Sequence, residues 1–246
     1  GEELNITADE DGVINIPLEG NATVEVTYTN ANGASVSAIV NKVVEIVEVI
    51  PTKTETVIEY QNMTTHTVDG NADGRVGEYF NITLKDTNGN KLANKTIMIG
   101  FNGKVYTRTT DENGSARLQV NLGYKGGYTF AVCFLGDEEY NGSFIAAKIT
   151  VLTTNPKLTV ASKTYKASAT SKTLTATFKS TNGNGVSGKK ITFTVNGKTY
   201  TATTDSNGVA TVNISLNKKG TYTFTAKFAG NDMYATMTKT GKLTIN

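Results

Sequence analysis

The chain has 246 residues and a near-balanced charge of +2, built from 21 Lys, three Arg and 22 acidic residues. That balance, with no clustered basic face, excludes a nucleic-acid footprint. No apolar run approaches the roughly 18 residues of a membrane span, and a single cysteine, Cys133, excludes an intrachain disulfide.

Residues 1–50 carry Thr7-Ala8-Asp9-Glu10-Asp11-Gly12, which matches Thr109-Thr110-Asp111-Glu112-Asn113-Gly114 further on. Alternating apolar residues follow at Ile14, Ile16 and Leu18, then at Val24, Val26 and Tyr28, and Val43–Val47 reads as a closing strand. This stretch is expected to be the back half of a module whose front four strands are missing, either cut off at a fragment boundary or supplied by a segment of another chain. The chain is therefore expected to be a fragment of a longer protein.

From residue 51 onward one pattern occurs twice at an offset of 94, without a gap from Phe80 to Tyr140. Asp86-Thr87-Asn88-Gly89-Asn90 lies on Ser180-Thr181-Asn182-Gly183-Asn184. Thr110-Asp111-Glu112-Asn113-Gly114 lies on Thr204-Asp205-Ser206-Asn207-Gly208. In the first copy Ile97, Ile99 and Phe101, then Ala116, Leu118 and Val120, then Tyr128, Phe130, Val132 and Phe134 keep period-2 alternation. The second copy repeats it at Ile191, Phe193 and Val195, at Ala210, Val212 and Ile214, and at Tyr222, Phe224, Ala226 and Phe228. Such runs, bounded by Asn-Gly and Asp-rich turns, predict strands and hairpins. Seven strands in about 90 residues predict an all-β immunoglobulin-like sandwich with Greek-key connections. No stretch longer than a turn has a helical period. The predicted modules are 51–154 and 155–246, after the partial module 1–50. Pro51 and Pro156 are taken as equivalent joints, which makes the front of the first complete module longer by 11 residues.

Catalytic groups are scarce. The only histidine, His66, lies in a Thr-rich stretch and is expected on a loop or an edge strand. Cys133 aligns with Lys227 on an outward position and has no base beside it, so no enzyme is expected. Asp69-x-Asn71-x-Asp73-Gly74 has the oxygen spacing of an EF-hand-like loop. Phe80 stands where a closing acid would be, so Glu78 would have to substitute, and Asp69, Asn71, Asp73 and Glu78 are the candidate Ca²⁺ ligands. The alternative for this segment is an ordinary polar loop. Eight N-x-S/T sequons occur, at Asn5, Asn21, Asn62, Asn81, Asn94, Asn113, Asn141 and Asn213; Asn81 and Asn213 fall on outward strand positions and are the glycosylation candidates.

Three elements together resemble the tandem bacterial-type Ig-like (Big) repeats of adhesin-like surface proteins, especially those of methanogenic archaea. They are Leu84-Lys85-Asp86-Thr87-Asn88-Gly89-Asn90 with Leu92-Ala93-Asn94-Lys95, the Thr-Asp-x-Asn-Gly turns, and Tyr-Thr-Phe leading to Phe-x-Gly-Asp/Asn-x-x-Tyr at 128–140 and 222–234. The resemblance implies an extracellular, cell-surface setting and a monomeric stalk that projects a binding region toward another cell or surface, protein or glycan. The alternative is that the modules themselves bind, through end loops or through the 61–79 segment.

Overall fold

A computed structural model describes residues 7, 10, 22–29, 32–42, 52–101 and 103–246. They fall into two compact units, residues 1–52 and 53–246.

In the first unit β1 (Ala22–Thr29) pairs antiparallel with β2 (Ser35–Lys42). The turn between them contains Asn32 and Gly33, and Gly33 adopts the positive φ of +81° that its lack of a Cβ permits. Hydroxyl pairs cross the exposed face at Thr27–Ser37 (2.7 Å) and Thr29–Ser35 (2.8 Å). The strand expected over Val24–Tyr28 coincides with β1. Those expected at Ile14–Leu18 and Val43–Val47 lie outside the described residues.

The second unit holds two sandwiches. The first comprises β3 (Thr56–Tyr60), β4 (Met63–His66), the short helix α1 (Gly70–Asp73) and β5 (Tyr79–Asp86). It continues through β6 (Thr96–Phe101), β7 (Lys104–Thr109), β8 (Ser115–Gln119), β9 (Gly126–Gly136) and β10 (Asn141–Leu152). A sheet β3-β5-β8 faces a sheet β4-β10-β9-β6-β7. The entering strand is thus split: β3 pairs antiparallel with β5, and after Gln61-Asn62 the chain crosses to run parallel to β10 as β4.

The second sandwich repeats the plan with β11 (Lys157–Val160), β12 (Lys163–Tyr165), β13 (Thr173–Lys179), β14 (Lys190–Val195), β15 (Lys198–Thr203), β16 (Val209–Asn213), β17 (Gly220–Phe228) and β18 (Met237–Ile245). Its sheets are β11-β13-β16 and β12-β18-β17-β14-β15.

Each sandwich buries its own core. In the first, Phe80 meets Phe130 edge to face at 5.7 Å over Ile82, Ile97, Ile99 and Val132. In the second, Phe178 meets Phe228 at 4.7 Å and Tyr234 at 5.3 Å over Leu174, Ile191 and Phe193. The alternation read from the sequence sends these residues inward because successive side chains on a strand point to opposite faces.

The two fronts differ by less than the prolines suggest. Thr54 bridges Tyr140 and Thr154 bridges Tyr234, so the fronts stand 100 positions apart while the backs stand 94 apart, and the insertion is six residues rather than 11. Pro156 therefore corresponds to Thr56, not to Pro51. Register is set by backbone hydrogen bonds at the two tyrosines, and a proline contributes no donor to such a ladder. The inserted residues contain α1.

Candidate functional site: the joint between the two sandwiches

The chain leaves β10 at Leu152 and is clasped by the second sandwich two residues later. Thr154 N–H donates to Met233 O (3.0 Å) and Thr154 O accepts from Ala235 N–H (2.9 Å). The turn that makes this clasp recurs in both copies. Gly136 and Gly230 take positive φ of +84° and +86°. The side chains of Asp137 and Asn231 then accept from the backbone two and three residues ahead, at 3.0 and 2.9 Å for Asp137 and 3.0 and 2.7 Å for Asn231. An Asp or Asn oxygen substituting for a backbone acceptor is what shapes such turns.

Thr67, following β4, reaches the same point. Its buried hydroxyl donates to Met233 O and accepts from Thr154 N–H at 2.9 Å. Its own N–H donates to Leu152 O at 2.8 Å.

Asp69 caps α1, with Oδ1 accepting from Asn71 N–H (3.1 Å) and Ala72 N–H (3.3 Å). Its Oδ2 accepts from the hydroxyl of Tyr234 in the second sandwich at 2.9 Å, a buried contact. Burial, and then the Asp69 carboxylate itself, push the Tyr234 phenol far above its ordinary acidity range, so it remains a neutral donor. One turn on, Asp73 Oδ1 accepts from Ser180 Oγ (2.6 Å) and Asn184 Nδ2 (2.9 Å), and Asn184 also donates to Ala72 O (2.9 Å). Ala72 packs against the core of the second sandwich. The Lys189 ammonium lies 5.4 Å from the Tyr234 ring centre. With Asp69, Asn71 and Val186 it lines a pocket of about 110 Å³. On another side Lys125 N–H donates to Asp232 O at 2.8 Å, with the two side chains 3.6 Å apart.

The expected Ca²⁺ ligands are thus divided. Asp69 and Asp73 direct their carboxylates into the joint, and Asn71 is exposed on α1. Glu78 stands apart and exposed, its carbonyl accepting from Val120 N–H. Among the described residues no three His, Cys, Asp or Glu side chains are gathered as a metal would need. Asn81 and Asn213 are both exposed, on β5 and at the end of β16, and the Asn81 amide donates to Tyr79 O at 3.1 Å. His66 is exposed on an edge strand.

A second feature lies where β3 crosses to β4. A groove of about 920 Å³ runs between the Tyr60–Thr64 segment and the start of β5. The exposed rings of Tyr60 and Tyr79 stand beside it, and the Arg117 guanidinium lies 4.6 Å over the Tyr79 ring.

Tyr234, Ser180, Asn184 and Thr67 were not legible as site residues. The Phe-x-Gly-Asp/Asn-x-x-Tyr element did carry Tyr234, but its partner Asp69 is 165 positions away.

Several solved structures are similar to this chain. Invasin, a bacterial integrin-binding protein, is 19% identical over 78% of this chain and 39% of its own, at a TM-score of 0.45. The Ca²⁺-stabilized adhesin of an Antarctic ice-binding bacterium is 19% identical over 93% of this chain and 57% of its own, at 0.29. The D0-D1 domain of intimin is 16% identical over 76% of this chain and 97% of its own, at 0.30. A model of the bacterial Ig-like domain (group 1) matches residues 148–240, from within β10 into β18. That stretch takes in the clasp and Tyr234, and over it the chain is similar to a bacterial Ig-like domain of group 1.

Proposed function

We propose that the chain is a non-catalytic segment of a cell-surface, adhesin-like protein, in which Ig-like modules form a stalk that holds a binding region away from the cell, toward a protein or glycan on another cell or surface. The observation that carries this reading is the joint. One residue, Thr153, separates β10 from the clasp at Thr154, and the buried Asp69–Tyr234 hydrogen bond fixes the angle between the sandwiches. A flexible tether would leave these donors and acceptors to water; a buried, mutually satisfied set holds one geometry. The carboxylates of the 69–74 turn serve this joint rather than a Ca²⁺ ion, so calcium against EDTA should leave the melting temperature unchanged. Asn81 and Asn213 would carry glycan where the host glycosylates.

The test is a distance distribution by pulsed electron resonance between spin labels at the exposed turn positions Glu112 and Ser206, with Cys133 replaced by serine. A narrow distribution is expected, broadening in Asp69→Ala/Ser180→Ala. A distribution equally broad before and after those substitutions would sink the stalk.

The groove beside Tyr60 and Tyr79 favours a second reading, in which the 61–79 segment itself binds a protein or glycan. Loss of surface attachment in Tyr79→Ala, with folding intact, would select it.

A further inference from the structure

Strand register allows the outward faces of the two five-stranded sheets to be compared position by position. Across β10, β9 and β6 of the first sandwich, one outward row reads Phe144, Cys133, Met98 and the next reads Ala146, Ala131, Gly100. The same rows in the second sandwich read Thr238, Lys227, Thr192 and Thr240, Thr225, Thr194. Where one copy is hydroxylated and charged, the other has six positions without a polar oxygen or a charge. Leu135 and Val105 extend the patch at its margins, 74% and 60% exposed. Contiguous apolar surface of this kind marks an interaction site, and single scattered apolar residues do not.

The relief of the patch indicates its occupant. Phe144 is 64% exposed and Leu135 stands beside it, so that end protrudes. Gly100, Ala131 and Ala146 form a flat lane alongside; a Cβ placed on Gly100 would still sit 3.7 Å from Ala131. Protrusion and lane lie on one face, as a self-complementary, two-fold interface requires.

We propose that this face is an interface between two copies of the chain, in place of the monomer expected from sequence. Each Phe144 rests on the other copy's Gly100–Ala131–Ala146 lane. Cys133 lies between protrusion and lane, so the two thiols approach each other near the two-fold axis. The contact is apolar and does not depend on a disulfide.

Sedimentation of the full chain under reducing conditions, over a concentration series, tests this. A reversible monomer–dimer equilibrium is expected, retained in Cys133→Ser and weakened at least tenfold in Phe144→Thr/Met98→Thr. Those threonines are the residues that the second sandwich already tolerates at the same register. Under copper–phenanthroline in air, where copper(II) takes the two electrons of a thiol pair, the two protons pass to solvent and oxygen reoxidises the copper, the parent should give a Cys133-linked dimer and the double variant should not. A monomer at all concentrations overturns the proposal, as does a dimer that the threonine variant leaves intact. Neither outcome bears on the stiffness of the joint.

Discussion

Tyr234 is fully buried with one polar atom, and that atom has one partner, Asp69. Asp69→Ala should therefore cost about 1–3 kcal/mol, the penalty of leaving a buried donor unsatisfied, read by denaturant unfolding. Tyr234→Phe removes donor and hydroxyl volume together and leaves the Asp69 oxygen without its donor, so it too should destabilise. At the equivalent turn of the first sandwich, Asp137 is bound by Lys95 at 2.6 Å and by two backbone amides, which hold its carboxyl below the ordinary value of 3.8. A depressed folded-state pKa contributes stability that is present above the unfolded value and lost as pH falls through the folded one. Asp137→Asn should thus be less stable than the parent at pH 7, and the difference should shrink as pH falls below about 3.8. A difference that does not shrink at all as pH falls from 5 toward 2 would assign the effect to the turn geometry instead. Asp86, held low first by the Asn90 amide, occupies the position of Ser180 and should respond in the same direction.

At the scale of elements, the Thr-Asp-x-Asn-Gly turns show why two copies retain one glycine. Gly208 has φ of +77°, and a Cβ there would fall 2.1 Å from Phe178 O; at Gly114 the values are +66° and 2.6 Å from Leu84 O. Gly197, in a hairpin with φ of +72°, has open space around it. Gly197→Ala should cost about 1 kcal/mol from backbone conformation alone, whereas Gly208→Ala forces the β13 backbone aside and should cost several times more. Equal losses in thermal melts would discount the steric argument. These elements were readable because hairpin turns and period-2 runs are local. The strand Ser35–Lys42 went unread although Asn32-Gly33 announces its turn. The helix α1 went unread because four residues are too few for a helical period. There the Asp-x-Asn-x-Asp-Gly spacing suggested ion ligands, and the structure engages Asp69 in a helix cap and in the bond to Tyr234, and Asp73 Oδ1 in a contact with Ser180 and Asn184.

Across the second unit, 53–246, the fold was legible and its joint was not. Ser180, Asn184 and Tyr234 act on residues 107 to 165 positions earlier, and nothing in a single sequence pairs them. Misplaced prolines hid the register for the same reason: the bond that sets it, Thr154 to Met233 and Ala235, joins distant segments. The joint should also couple folding. The parent unit should melt in one transition or two closely spaced ones, and Asp69→Ala/Ser180→Ala should separate them in calorimetry, because interface free energy is what makes neighbouring modules unfold together. Two well-separated transitions already present in the parent would show that the joint transmits little.

The entering strand of each sandwich runs parallel to its leaving strand, β4 beside β10 and β12 beside β18. A pull on the two ends of such a module loads its ladder lengthwise, so the hydrogen bonds must yield together rather than peel one after another. The backbone from Thr153 to Pro156 carries that tension from β10 to β11, and the clasp ties the same stretch to Met233 and Ala235 between β17 and β18. Loaded in that way, a single sandwich should resist stretching until its ladder shears as a whole, and because the joint ties the two sandwiches together, their ladders should give way in one event or in close succession.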